Sequence, residues 1–450
     1  MSFAAIRSTA YSALSASQVR TQIAANNIAN ADTAGYSTKS ASQSALLSGT
    51  LGTGVAITAI TSAVSKFLLS DLVSATSTAG ASDIAQSFAQ SIADLMGSTS
   101  SSTGNGTSLA QSLADLETAA SALVSDPNSD TAKAQLVSAL DTVASQLRST
   151  GSAVQTLRGQ ADQAIADGVE TVNQALETIA GLNSEIVAAK ATGQSTADLE
   201  DKRNQALQVV AGQLDVDYSI TANGAMRLTT GSGTALVDST VHLLSYAPAA
   251  LATADTVFSA ITVGGAATNI SGGAIGGLLV ARDKTLPSIQ SELDTLAAGL
   301  IASINAGYGA TLLTGTGANS IAVAADILAT PTALVVTDSI AASALESAIT
   351  SKWTFSQAGS ISSGARSFAD YAATIVGNAA TVSSVASARN EVAQASLSTA
   401  QSAISSSTGV NLDEETAKLS ELEQYYSVAA QILSTLNAMF DSLLQAAQSA

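Results

Sequence analysis

The clearest periodicity in the chain runs from 412 to 443, where Leu412, Leu419, Leu422, Tyr426, Ala429, Leu433, Leu436, Phe440 and Leu443 follow three- and four-residue steps. Glu415 takes the one place in the series where another apolar residue would fit. The spacing predicts a helix with a single apolar stripe. Taken alone, such a stripe fits an amphipathic helix lying on its own core. A stripe this long at the end of the sequence calls for a partner, and the other end offers one. Phe3, Ile6, Ala10, Ala13, Ala16, Val19 and Ile23 also step by three or four. Paired ends would make the middle of the chain one long excursion.

After the first helix, Asn26, Asn27, Asn30 and Asp32 collect ahead of Gly35. Their side chains bond local backbone and the glycine takes positive φ, so the stretch predicts a helix stop and a turn. Gly49, Gly52 and Gly54 before Val55, Ile57 and Ile60 predict a turn into a short extended segment. Ile84, Phe88, Ile92 and Leu95 make a helical stripe, and Ser98 to Thr107 a flexible break. Leu109, Leu113, Leu116, Ala120 and Leu123 make the next helix, stopped by Asp126 and Pro127. From Leu136 to Ile186 the pattern outlines one very long helix or two nearly collinear ones, on the order of 75 Å. Gly151, Gly159, Gly168 and Gly181 weaken it and are candidate bends.

Beyond Gln213 the period becomes two. Val216, Tyr218 and Ile220, the Asn223-Gly224 turn, then Met226 and Leu228 predict a hairpin. The β character continues to about residue 271 through Leu236, Val237, Val241, Leu243, Val257, Ile261, Val263 and Ile270. Helix returns from Gly277 to Ile304. Residues 310 to 340 are irregular and β-like around Ile321, Val323, Leu334 and Val336, and from Ala365 a further helical run leads into the last helix. The expected fold class is mainly α with a β-rich middle part.

Composition thins this core. Hydrophobic residues make up 46% of the 450, but alanine supplies much of that and aromatics only 4%, so helices are expected to meet through narrow, Ala-rich contacts. The length suits two to four domains. A net charge of -18 with no basic cluster argues against nucleic acid or an anionic membrane surface. Without cysteine there is no disulfide, thiolate metal site or cysteine nucleophile. No run reaches the eighteen or so apolar residues of a membrane helix, and the first residues do not read as a cleavable secretory leader. The single histidine, His242, sits between Val241 and Leu243 and reads as a strand residue; any His-based catalysis would rest on it alone. Gly231 to Gly233, Gly272 to Gly277 and Gly315 to Gly317 lack the residues of a phosphate loop and read as turns. Asp413, Glu414 and Glu415 are explained by attraction to the positive end of the last helix. No cofactor, metal or catalytic site is predicted.

Asn26-Asn27-Ile28-Ala29-Asn30 followed by Thr33, Gly35 and Tyr36 looks like the N-terminal signature of flagellar axial proteins, with Ala34 where that signature often has proline. Three more stretches narrow the resemblance: Leu182 to Ile186 with Asp198 to Arg203; Gly272 to Asp283 with Leu296, Ala297, Ile304 and Asn305; and Gly409-Val410-Asn411-Leu412-Asp413-Glu414-Glu415. Together they make the chain similar to the hook-associated protein family of the bacterial flagellum, which joins hook to filament.

The resemblance implies an elongated, multidomain axial protein without enzymatic activity. Residues 1-60 and 407-450 would form an inner terminal-helix domain, 61-212, 272-309 and 361-406 a helical rod domain, and 213-271 and 310-360 a β-rich outer portion. It implies self-assembly into a ring of about eleven copies through coiled-coil-like terminal helices. It also implies contact with hook protein and a second junction protein on the filament side. A cytoplasmic export chaperone would cover the helix carrying Leu412, Leu419, Leu422, Tyr426, Leu433, Leu436, Phe440 and Leu443. The protein would leave the cell by the flagellar type III route without a cleaved signal peptide and reside outside it. The alternatives are another axial protein, flagellin or hook protein, and a secreted hydrolase using His242.

Overall fold

Proline occurs only at 127, 248, 287 and 331, so long parts of this Ala- and Ser-rich chain contain nothing that forbids a helix interior. The computed structural model describes residues 3–48, 51–97 and 108–448. The predicted break from Ser98 to Thr107 and the predicted turn residue Gly49 lie outside the described residues. The chain is mainly α with small antiparallel sheets in its middle and a long helical pair.

In chain order the elements begin with α1 (Phe3–Ala29), the hairpin β1 (Lys39–Ser48) and β2 (Leu51–Ser62), α2 (Lys66–Met96), α3 (Leu109–Ser125), α4 (Asp130–Ala191) and α5 (Ala197–Gln213). A β region follows: β3 (Val216–Ile220), β4 (Met226–Thr230), β5 (Ala235–Val237), β6 (Leu244–Ser245), β7 (Thr262–Val263) and β8 (Ala266–Ala267). Then come α6 (Gly273–Val280), a π-helical turn (Ala281–Thr285) and α7 (Leu286–Tyr308). After β9 (Leu313–Thr314) and β10 (Ala322–Val323) lie α8 (Ala325–Ala329), a 3-10 turn (Pro331–Ala333), α9 (Ser339–Thr350), β11 (Trp353–Phe355) and β12 (Gly364–Arg366). The chain closes with α10 (Phe368–Thr408) and α11 (Leu412–Gln448).

These elements divide into two compact units. The first comprises Met1–Ser77, Thr171–Leu244 and Ala395–Ala450, and the second Thr78–Glu170 and Ser245–Gln394. In the first, α1 pairs with α11 and with the β1–β2 hairpin. The β3–β4 hairpin turns at Gly224 (φ +94°), as the Asn-Gly pair predicts. Its position is set from below. Asn183 on α4 exchanges two 2.8 Å bonds with the Met226 backbone, and Arg203 on α5 donates to Asn183 Oδ1 at 3.0 Å and the Gly224 carbonyl at 2.7 Å.

The second unit holds the bulkier core. Leu113, Leu116, Leu136, Leu147, Leu293 and Leu296 pack with Phe355, Phe368 and Tyr371, whose rings stack or meet edge-on at 4.0 to 5.6 Å. Ser108 caps α3 through the Gln111 amide, Asp338 caps α9 through the Ala341 amide, and Gly309 ends α7 in the left-handed region. Arg282, buried in the π turn, pairs with Asp162 on α4 at 2.8 Å.

Several expectations change. The long helix is a single element through all four glycines; at Gly151 a Cβ would meet the tip of the exposed Asn319 side chain, which is free to turn aside. Strand β1, with the sequence Lys-Ser-Ala-Ser-Gln-Ser-Ala-Leu-Leu-Ser, carries little β propensity and no sequence signal of a strand; its pairing with β2 decides its state. The stripe from Ile84 to Leu95 is only the second half of α2. Residues 310 to 360, expected to be β-rich, hold strands only of two-stranded pieces beside α8, a 3-10 turn and α9, and their Leu312, Leu334, Leu345 and Ile349 join the helical core. A period of two over four or five residues does not distinguish a strand from an irregular segment pressed on a core.

Glu292 on α7 is fully buried. Its Oε1 accepts from the Ser360 amide at 2.8 Å and the Ser360 hydroxyl at 2.7 Å, while Oε2 and the buried Tyr371 hydroxyl have no partner among the described residues. Burial outweighs the Ser360 bonds and holds the carboxyl above its usual range; burial and the nearby Glu292 push the Tyr371 phenol up to about 12. An acid whose pKa is raised by folding stabilises the fold below its unfolded pKa and loses that contribution as pH rises through the folded one. Stability of the second unit, followed by fluorescence of the sole tryptophan, Trp353, should therefore fall as pH rises from about 4 upward. Glu292→Gln should flatten that fall and raise stability at pH 7 by on the order of 1 kcal/mol. A variant with the parent's pH profile would refute the assignment.

Candidate assembly site at the paired chain ends

The two predicted terminal stripes meet. Phe3 lies beside Phe440 with ring centroids 6.1 Å apart, the Ser17 hydroxyl donates to the Leu422 carbonyl at 3.0 Å, and Asn27 reaches Glu415, so α1 and α11 run antiparallel. On α1 the buried residues are Ala10, Ala16, Ser17, Ala24 and Asn27. On α11 they are Glu415, Leu422, Ala429 and Leu436, a strict seven-residue repeat. Such a repeat keeps one line of a helix on its partner along the whole contact.

The predicted stripe on α11 is thus split in two. Leu422 and Leu436 are buried, and Leu419 and Leu433 are half-buried. Leu412, Tyr426, Phe440 and Leu443 are exposed, the last by 61%. Beside them Tyr425, Val428, Ile432, Met439 and Leu444 are exposed too. One helix of small residues covers only a narrow strip of its neighbour, and the rest of the apolar surface of α11 stays open.

At the Asn27 end the contact becomes polar. Asn27 is fully buried; its Nδ2 donates to the Lys39 carbonyl and to Glu415 Oε2, both at 3.0 Å, and its Oδ1 accepts from the Tyr36 hydroxyl at 2.8 Å and the Lys39 amide at 3.1 Å. Glu415 Oε1 accepts from Lys418 at 2.9 Å. The Lys39 ammonium, 7% exposed, lies 2.5 Å from Asp198 and 3.2 Å from Asp201 and sits over the Tyr36 ring at 3.6 Å. It meets both carboxylates at ion-pair distance without aligning an N–H on either. Burial pulls its pKa down, but the attraction of the Asp198 and Asp201 carboxylates prevails and holds it above the ordinary lysine value. Burial, with the carboxylates of Asp198 and Asp201 adding to it against the opposing Lys39, raises the Tyr36 phenol. Asp201 also accepts from the Ser37 hydroxyl at 2.6 Å and the Ser37 amide at 3.2 Å.

The remaining motif residues shape the approach to this node. The Asn26 carbonyl accepts from the Asn30 amide and side chain, Thr33 donates to Asn30 Oδ1, Ile28 is half-buried, and Gly35 (φ +75°) lies where a Cβ would clash with Gln205. Thr38 bonds the Thr408 carbonyl through its amide at 2.7 Å, which ties the turn to the end of α10. Gly409 closes α10 by donating to Ser405, Val410 is half-buried, and Asn411 caps α11 by accepting from the Asp413 and Glu414 amides at 3.1 and 3.4 Å. Asp413 and Glu414 are exposed in the first turn of α11, and Glu414 pairs with Lys418 at 2.8 Å, which holds its carboxyl below the usual range. Glu415 departs from the expectation set for all three acids, since it is a buried partner of Asn27 rather than a surface charge near the helix end. A charged residue at a seam position was the available signal. Lys39, Ser37 and Ser17 were missed, because nothing local distinguishes them.

His242 is not in a strand. It follows an isolated Val237–Val241 bridge, half-buried, with Nε2 3.3 Å from both Asp238 Oδ1 and the Thr240 hydroxyl. The Thr240 amide, with the His242 side chain adding to it, lowers the Asp238 carboxyl to about 2. No helix among the described residues is long and apolar enough to cross a membrane.

The family described as flagella basal body rod protein matches residues 8–36, and that described as flagellar basal body rod FlgEFG protein C-terminal matches residues 400–446. Flagellar hook-associated protein 1 of Salmonella typhimurium is 25% identical over 313 residues, covering 66% of this chain and 55% of that protein. Its counterpart in Escherichia coli (strain K12) is 25% identical over 311 residues with the same coverage. The chain spans about half the length of these curated relatives. The solved flagellar hook junction protein FlgK from Burkholderia pseudomallei is 19% identical, with a TM-score of 0.47, covering 66% of this chain and 56% of that one. The family described as flagellar hook-associated protein FlgK helical domain matches residues 92–319, more than half of the chain, which therefore belongs to that family.

Proposed function

We propose that the chain is a structural, non-enzymatic component of the bacterial flagellum that joins hook to filament and assembles with copies of itself through its terminal helices. The observation that carries this reading is the split face of α11, which gives Leu422, Ala429 and Leu436 to α1 and leaves Tyr425, Ile432, Met439 and Leu444 uncovered. Contiguous apolar surface of this kind marks a contact with other molecules. Neighbouring copies in a ring of about eleven would bury it. The curated relatives are named flagellar hook-associated protein 1, and on this reading the chain lies between hook protein and a second junction protein on the filament side. On this reading the protein is exported from the cytoplasm and works outside the cell. Before assembly, a cytoplasmic chaperone shields α11 by a helix-in-groove contact.

Cells lacking the gene should carry hooks without filaments and release flagellin to the medium; electron micrographs showing attached filaments would end the proposal. The two faces of α11 separate in point variants. Ile432→Asp, on the exposed face, should leave the helix content of the purified chain unchanged yet abolish filament attachment. Leu436→Asp should in addition unpair α1 and α11, a penalty of several kcal/mol for a carboxylate in the seam. Normal swimming by the Ile432 variant would show that the exposed face is not the contact. A chain truncated after Thr408 should lose chaperone binding in calorimetry while still reaching the medium. Undiminished binding would move the chaperone to another part of the chain.

A further inference from the structure

The α1–α11 seam is made of residues that carry little information about position. Its buried members on α1 are mostly alanines, which offer no deep hole that accepts one side chain and rejects the next. On α11 they recur every seven residues. Moving α11 by seven residues along α1 would bring Leu422 to the place of Glu415, Ala429 to that of Leu422, Leu436 to that of Ala429, and the exposed Leu443 to that of Leu436. The first two turns of α11 would unwind into the connection that starts at Gly409. Apolar burial separates these two registers only weakly: along the buried line the slip exchanges leucine and alanine places without loss of leucine, and beyond it gives up only the contact of Phe3 with the exposed Phe440. The Ser17 bond to the Leu422 carbonyl does not separate them, since every residue of α11 carries a carbonyl.

The Asn27–Glu415 contact does separate them. Asn27 cannot follow a sliding helix, because its other three bonds go to the Tyr36 hydroxyl and to the backbone of Lys39 at the start of β1. In the slipped register Leu422 would face a fully buried Nδ2 donor, left with one hydrogen unsatisfied. We propose that Glu415 is the register-determining residue of the terminal helix pair, with Asn27 its fixed counterpart. The contact is kept for position rather than for stability, as buried polar residues are at single seam positions of coiled coils. The register in turn decides which exposed residues of α11 lie at which height beside a neighbouring copy; that consequence rests on the assembly proposed above, whereas the register itself does not.

The chain has no cysteine, so engineered pairs read the register cleanly. In dilute, monomeric protein, Ser17→Cys with Leu422→Cys should form a disulfide in the parent background, and Ser17→Cys with Ala429→Cys should not. Adding Glu415→Leu, which leaves the Asn27 donor unmet in either register, removes the preference for the parent one and should increase closure of the Ser17–Ala429 pair about tenfold. Adding Glu415→Gln, whose side-chain oxygen still accepts from Asn27, should retain the parent pattern. The proposal is overturned if the Leu variant closes only the Ser17–Leu422 pair, or if the Gln variant slips as well. Because the readout is intramolecular, a failure here leaves the assembly proposal standing, and a failure of assembly leaves the register result intact.

Discussion

A buried primary amide has two donor hydrogens and an acceptor oxygen that must all be met, or the fold forfeits on the order of 1 to 3 kcal/mol per missing bond. Asn27 meets them in three places at once: the turn at Tyr36, the first residue of β1, and Glu415 at the start of α11. The bond to Glu415 closes a loop of 388 residues. Most of the first unit is arranged so that this closure is possible. Gly35 lets the chain turn tightly against Gln205, Thr38 holds the end of α10, and Asn411 starts α11 in the right direction.

The Lys39 cluster supports the same point from outside. Its ammonium, nearly enclosed, is balanced by Asp198 and Asp201 on α5 and covered by the Tyr36 ring. A buried cation with two carboxylates adds little net stability once desolvation is counted, but removing either side leaves an uncompensated charge. The cluster therefore fixes geometry. It holds the Lys39 backbone, whose amide and carbonyl are two of the four partners of Asn27.

Each unit meets the shortage of large apolar residues differently. The second concentrates leucines and the ring cluster of Phe355, Phe368 and Tyr371 into one core, and tolerates a buried carboxyl in Glu292 that Ser360 only partly satisfies. The first spends few large side chains on its own seam. Alanine on α1 brings two helices close with little area buried, so much of the apolar surface of α11 remains available. A helix that packed fully on its own chain would have no such surface to offer.

Much of this was legible in the residues themselves. The helices α1, α3, α4 and α11, the β3–β4 hairpin and the turn at Gly35 follow from periodicity, capping and turn chemistry, which act over a few neighbours and need no knowledge of the rest of the fold. The motif residues at both ends were identifiable as strings, but their meeting was not. Nothing within reach of Glu415 in the sequence distinguishes a seam carboxylate bonded to Asn27 from a surface charge at a helix start. The strand state of β1, the helical packing of residues 310 to 360 and the burial of Lys39 likewise depend on partners distant in the chain. Local propensity is worth tenths of a kcal/mol per residue there and pairing or burial several times more, so the tertiary contacts decide.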